Sequence, residues 1–239
     1  MQMYVSFNFL ISIVAFTCAF FLYRKTSKYH NVVGFMIFFG IAAGIGGIVH
    51  AIELYEMDAL KNFSNWINST FHSVLSKKES PQAILERLWL ITIMGIGFSE
   101  YYFMCIFLEP LMKEKLIFIK YFLRASLILY LAAVAISSQY VTVVAYHTLS
   151  HVVVIIFTIY LIIKHNTMTY LALLGLLILN LGSGLMQQLM KNGVIPTGPL
   201  NYNDWYHISI SFLLAATYFL VTKGKIIEHI EEEVSNSKK

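Results

Sequence analysis

The sequence predicts an all-α membrane protein: a bundle of seven transmembrane helices, N-terminus outside and C-terminus in the cytosol. Composition carries the first part of this reading. Of 239 residues, 58% are hydrophobic and only 13% charged, where soluble domains run about 25% charged. Mean hydropathy is +0.67. Periodicity of a coarser kind carries the second part: seven apolar runs recur, each near the roughly 20 residues that a helix needs to cross the hydrocarbon. Basic residues gather in alternate connections between them, which sets the orientation.

The spans are read at residues 4–23, 32–54, 84–108, 119–136, 141–163, 168–190 and 205–221. The first has no basic residue before it and no small-residue cleavage pattern after it, so it reads as a retained helix and not a cleaved signal peptide. Arg24, Lys25 and Lys28 follow it. Lys113 and Lys115 lie in the third loop, with Lys120 and Arg124 entering the next span. Lys164 marks the fifth loop, and Lys223 and Lys225 follow the last span. An odd number of spans puts all of these on the cytosolic side. The second loop mixes Lys61, Lys77 and Lys78 with Glu56, Asp58 and Glu79; the fourth is uncharged and the sixth has Lys191 as its one basic residue. Within the second loop Leu60, Phe63, Trp66 and Ile67 recur at helical spacing, which predicts a surface helix over about residues 57–78.

No linker divides the chain, so residues 1–225 read as one transmembrane domain and 226–239 as a short solvated cytosolic tail. The net charge of +4 is explained by the positive-inside residues, and no nucleic-acid partner is inferred. Cys18 and Cys105 are isolated within apolar spans and give neither a disulfide framework nor a metal motif. Asn62 and Asn68 head glycosylation patterns that matter only in a eukaryotic secretory route. The expected setting is a multi-pass protein of a bacterial plasma membrane, in contact with membrane lipid.

Chemistry is concentrated near the outer ends of the spans. Asn8, His50 with Glu53, Glu86 with Arg87, His147 with His151, Gln187 with Gln188, and Asn203, Asp204 and His207 occupy six of seven spans. Counted at ~1.5 Å per residue, His50, His151 and His207 fall within a few ångströms of one another in depth. The inner halves contribute few polar groups, with Asn180 and the Ser99-Glu100 pair as exceptions. Residues at helix ends also meet headgroups and water, and Asn203 and Asp204 are ordinary helix-capping types. Histidine a turn inside hydrocarbon is costlier and points to a functional cavity. Imidazole is also the commonest protein ligand for metals. His147 and His151, four apart, share a helix face and have a chelating spacing.

The string Gly44-Ile45-Gly46-Gly47-Ile48-Val49-His50-Ala51 resembles the Gly-rich run ending in histidine of the alkaline ceramidases. Asn203-Asp204-Trp205-Tyr206-His207 resembles their His-x-x-x-His, with Asn203 in the place of the first histidine. These enzymes belong to the CREST superfamily of seven-helix membrane proteins. The resemblance implies a zinc ion and a zinc-activated water that hydrolyses a lipid amide or ester. It implies His50 and His207 as ligands, with Asp204, Asn203 or the His147/His151 face supplying the third. Gly46 stands at the family's serine position, and the third-helix acid falls on Glu86. Glu86 and Asp204 are thus the expected catalytic carboxylates. Two other readings remain open: a receptor or transporter that binds a small ligand without chemistry, and an electron-transfer protein with haem b between His50 and His151 or His207.

Overall fold

Why the chain folds as helices follows from its solvent: backbone groups in hydrocarbon must be satisfied within the segment, which an α-helix does. A computed structural model describes residues 3–25, 29–55, 57–70, 80–114, 117–137, 140–165, 168–196, 202–222 and 227–228. Eight helices are present among them: α1 Met3–Lys25, α2 His30–Tyr55, α3 Met57–Thr70, α4 Pro81–Glu114, α5 Ile117–Ser137, α6 Tyr140–His165, α7 Met168–Lys191 and α8 Tyr202–Thr222. Seven of these, all but α3, are long and apolar enough to cross a membrane. The all-helical class and the seven helices of membrane-spanning length therefore stand as expected.

Local signals set several ends. Ser80 caps α4, its hydroxyl accepting from the Ala83 amide at 3.0 Å, with Pro81 at the first helical position, where a missing N–H costs nothing. The end of α7 is closed by Gly193 at φ 71°. Val194 N–H reaches Leu189 O at 2.9 Å and Gly193 N–H reaches Met190 O at 3.1 Å, the paired bonds of a Schellman stop. In α3, Leu60 is buried while Phe63 and Trp66 are 48% and 54% exposed, so the surface helix has formed over residues 57–70. The remainder of the expected 57–78 stretch lies outside the described residues.

The helices close into a ring. α1 packs on α2, α2 on α4, α4 on α6, α6 on α7, α7 on α8, and α8 back on α1. α5 stands outside it, against α4 and, less, α6; most of its side chains are exposed. Between α1 and α2 the approach is close enough to require small residues. A Cβ on Gly44 would meet Ser12 Oγ at 2.9 Å and one on Gly47 would meet Asn8 Cβ at 3.1 Å. Ser12 also donates to Gly40 O at 2.8 Å across the pair. The glycine run therefore serves α1, and only Gly46 turns to the interior.

α4 departs most from expectation. It runs 34 residues, about 51 Å at ~1.5 Å per residue, and continues through Pro110, where the reading at 84–108 ended it. Its first turns sit beside α3: Ile84 and Leu85 cluster with Val49 and Leu60, apart from the main core. This shifts every later α4 residue along the bundle relative to the expected register. At the other end, the two described residues of the expected tail turn inward. Ile227 is buried, and Glu228 accepts a hydrogen bond from Tyr29 at 3.0 Å.

Candidate metal centre and cavity

The ring encloses a cavity of about 720 Å³, lined by α1, α2, α4, α6, α7 and α8 and by nothing from α5. On α4 the wall is Trp89, Thr92, Ile96, Glu100, Phe103 and Phe107, spaced by three or four residues and so on one helix face. Near one end lie Asn8, His50, Gln187, Asn203 and His207. Toward the other end the wall is mostly apolar, with Phe35, Phe39, Phe107, Leu173, Leu214 and Val221, and Thr217 beside the last two. Glu100, His147, His151 and Asn180 line the stretch between.

At that middle level Glu100 of α4, 4% exposed, meets the face of α6 that carries His147, Ser150 and His151. His147 Nδ1 lies 2.7 Å from Glu100 Oε1. The Ser150 hydroxyl donates to Oε2, and His151 Nδ1 lies 3.7 Å from that same oxygen. His151 Nδ1 is also 2.9 Å from the His147 carbonyl. A donor is needed there, so the network assigns the proton to Nδ1. Nε2 then accepts from Asn180 Nδ2 of α7 at 2.7 Å, while Asn180 Oδ1 is buried with no partner among the described residues. Phe103, one turn from Glu100, stacks on the His151 ring at 4.8 Å and fixes its plane. Among the described residues, Glu100, His147 and His151 are the group of three metal-ligating side chains whose ligand atoms all lie within 4.8 Å of one another.

The other expected site residues are placed elsewhere. His207 Nδ1 lies 2.6 Å from Asn203 O and Nε2 lies 3.1 Å from Asn8 Oδ1. Asn203 Oδ1 accepts from Gln187 at 2.9 Å. These contacts tie α8 to α1 and α7. His50 sits 3.4 Å from Glu53 with its ring edge toward Trp89. His50, Asn203 and His207 thus line the cavity as a polar end wall, without forming a three-ligand group with Asp204. Asp204 is buried and is not part of the wall. Glu86 is exposed, accepts from Gln82 at 3.3 Å, and lies about 21 Å along α4 from Glu100 at ~1.5 Å per residue.

The single depth expected for three histidines resolves into two levels. His207 lies about 8 Å along α8 from Tyr202 and His151 about 17 Å along α6 from Tyr140, at ~1.5 Å per residue. The sequence reading noted Glu100 and Asn180 as polar exceptions of the inner halves and gave them no place in the site. The available signal was their position: a carboxylate and an amide in mid-span, where polar groups are costliest.

Comparison with known proteins returns no matching family model, no matching curated protein and no matching solved structure.

Proposed function

We propose that Glu100, His147 and His151 hold a zinc ion, and that the protein is a membrane hydrolase acting on a lipid amide or ester. The donor set carries this reading. Two imidazoles and one carboxylate, gathered on the wall of an internal cavity, are the ligand combination of catalytic zinc sites that keep a fourth position for water. Zinc held there supplies Lewis acidity and lowers the pKa of its water to about 7.

The chain's own groups do the rest. Ser150 would orient the Glu100 carboxylate as an outer partner of a metal ligand does, and the His147 carbonyl would hold Nδ1–H of His151, leaving Nε2 to exchange its bond with Asn180 for the ion. The apolar half of the cavity takes an acyl chain, and the polar wall of Asn8, Gln187, Asn203 and His207 takes the headgroup side of the bond. Glu86 and Asp204 do not line the cavity, so neither serves as the proton acceptor at this cluster. His50 and His207 belong to the substrate wall in this reading.

Purified protein analysed for metal and scanned for absorbance tests it. Zinc is expected in proportion to the chain, lost in His147→Ala and in His151→Ala and kept in His50→Ala. Equal zinc in the wild type and both ligand variants would overturn the site. A Soret band would favour haem, and a metal-free wild type would favour a receptor or transporter that binds its ligand without chemistry.

The orientation is part of the proposal and rests on the basic first, third and fifth loops; it puts the His50 and His207 end of the cavity outside. A cysteine replacing exposed Asn65 in α3 is expected to react with an impermeant maleimide in intact cells. Reaction only after permeabilisation would reverse the topology.

A further inference from the structure

A second depression lies on the outer, lipid-facing side of α7 and α8. It is a groove of about 500 Å³ lined by Ala172, Leu176, Phe212, Ala215, Ala216, Phe219 and Leu220. Leu176 and Leu220 also line the central cavity. Both are half-buried, so one leucine from each helix separates the interior from the surrounding hydrocarbon. We infer that this groove is a lateral portal, binding one acyl chain of a membrane lipid and admitting it into the apolar half of the cavity.

Size and environment select the occupant. Every lining residue is apolar, and three of the seven are alanines, which leaves a depression where larger side chains would fill the helix junction. Phe212 and Phe219 stand out on the same face of α8, 66% and 59% exposed, about 10 Å apart along the axis at ~1.5 Å per residue. Ala215 and Ala216 lie between them. Helices associate in lipid through close backbone approach at small residues, and two projecting phenylalanines hold a second copy of the chain away from the alanines. A flexible acyl chain passes between them. The partition is made of two side chains and no backbone, so changes of rotamer at Leu176 and Leu220 open it. Behind it the wall continues as Leu173, Leu177 and Val221, with Thr217 the polar side chain on that stretch of α8, its hydroxyl satisfied by the Leu213 carbonyl at 2.8 Å.

Photolabelling reads the portal without any assay of hydrolysis. The full chain is placed in nanodiscs of phosphatidylcholine bearing a diazirine on its acyl chain, illuminated, and the adducts are mapped. Adducts are expected in the groove and also on Phe39, Leu173 and Leu214, which line only the interior. Ala216→Trp fills the groove and should lower the interior adducts several-fold, while adducts on the α5 residue Phe122 stay unchanged as a measure of the intact bundle. The paired change Leu176→Ala with Leu220→Ala removes the partition and should raise interior adducts. Interior residues without adducts, or adducts indifferent to both variants, would overturn the proposal. So would chain-to-chain cross-linking through Ala216→Cys, which would assign the groove to a second copy.

Discussion

Glu100→Gln is expected to weaken zinc binding by more than the 10–100-fold typical of losing an outer partner of a metal ligand. The substitution keeps the shape of the side chain and one good acceptor. The Ser150 hydroxyl can still donate to the amide oxygen, and a neutral His147 Nδ1, now 2.7 Å from the other carboxylate oxygen, can accept from the amide N–H in its place. The fold should therefore survive with a near-native melting temperature, and affinity measured against a competing chelator isolates the missing charge. Glu100→Ala makes the contrast. It takes the carboxylate from Ser150, 0% exposed, leaving the His147 carbonyl and His151 Nδ1 at 3.3 Å, and losing a partner of a buried polar group costs about 1–3 kcal/mol. Unchanged zinc affinity in Glu100→Gln would remove Glu100 from the ligand set.

Much of the bundle is legible in the sequence because hydrocarbon imposes a simple rule on length and polarity. The expected span at 141–163 and helix α6 at Tyr140–His165, or 119–136 and α5 at Ile117–Ser137, differ by two residues or fewer at each end. Depth was less legible, because it was counted from where apolar character begins. Ile84 and Leu85 are apolar for another reason: they pack on Leu60 of α3 and Val49 of α2. Counting from them put Glu100 in the inner half, away from the histidines it meets. The spacing of His147 and His151 predicted one face correctly, since that depends on helix geometry alone. Their partner depends on how far α4 is displaced against α6, which no local pattern records. The empty centre of the ring and the exclusion of α5 from it are likewise products of packing between helices distant in sequence.

That displacement is held by a contact from outside the ring, and Gly97→Ala should break it. Tyr130 of α5 reaches across α4 to donate to Ile93 O at 2.7 Å. Its ring crosses the helix one turn further on, at Gly97, where a Cβ would come within 2.5 Å of Tyr130 Cδ1. The obstruction is the ring body and not a flexible end, and Tyr130 is buried with the Tyr146 ring of α6 stacked on it at 4.5 Å. Overfilling a packed site costs about 1–3 kcal/mol, and the lost interhelical hydrogen bond adds about 0.6 kcal/mol. Alanine's better helix propensity returns at most ~1 kcal/mol. The net expectation is a clear fall in thermal stability, whereas Gly175→Ala, whose Cβ would meet nothing within 4 Å, should be neutral or stabilising. The effect should not stop at stability. Tyr146 precedes His147, so expelling Tyr130 from between α4 and α6 changes the separation of Glu100 from its imidazole partner, and Gly97→Ala should also lower zinc affinity. Shortening the obstruction, in Gly97→Ala with Tyr130→Ala, should recover part of the stability, giving a double-mutant cycle with positive coupling. Additive losses would show that residue 97 and Tyr130 act separately, and α5 would then have no part in setting the site.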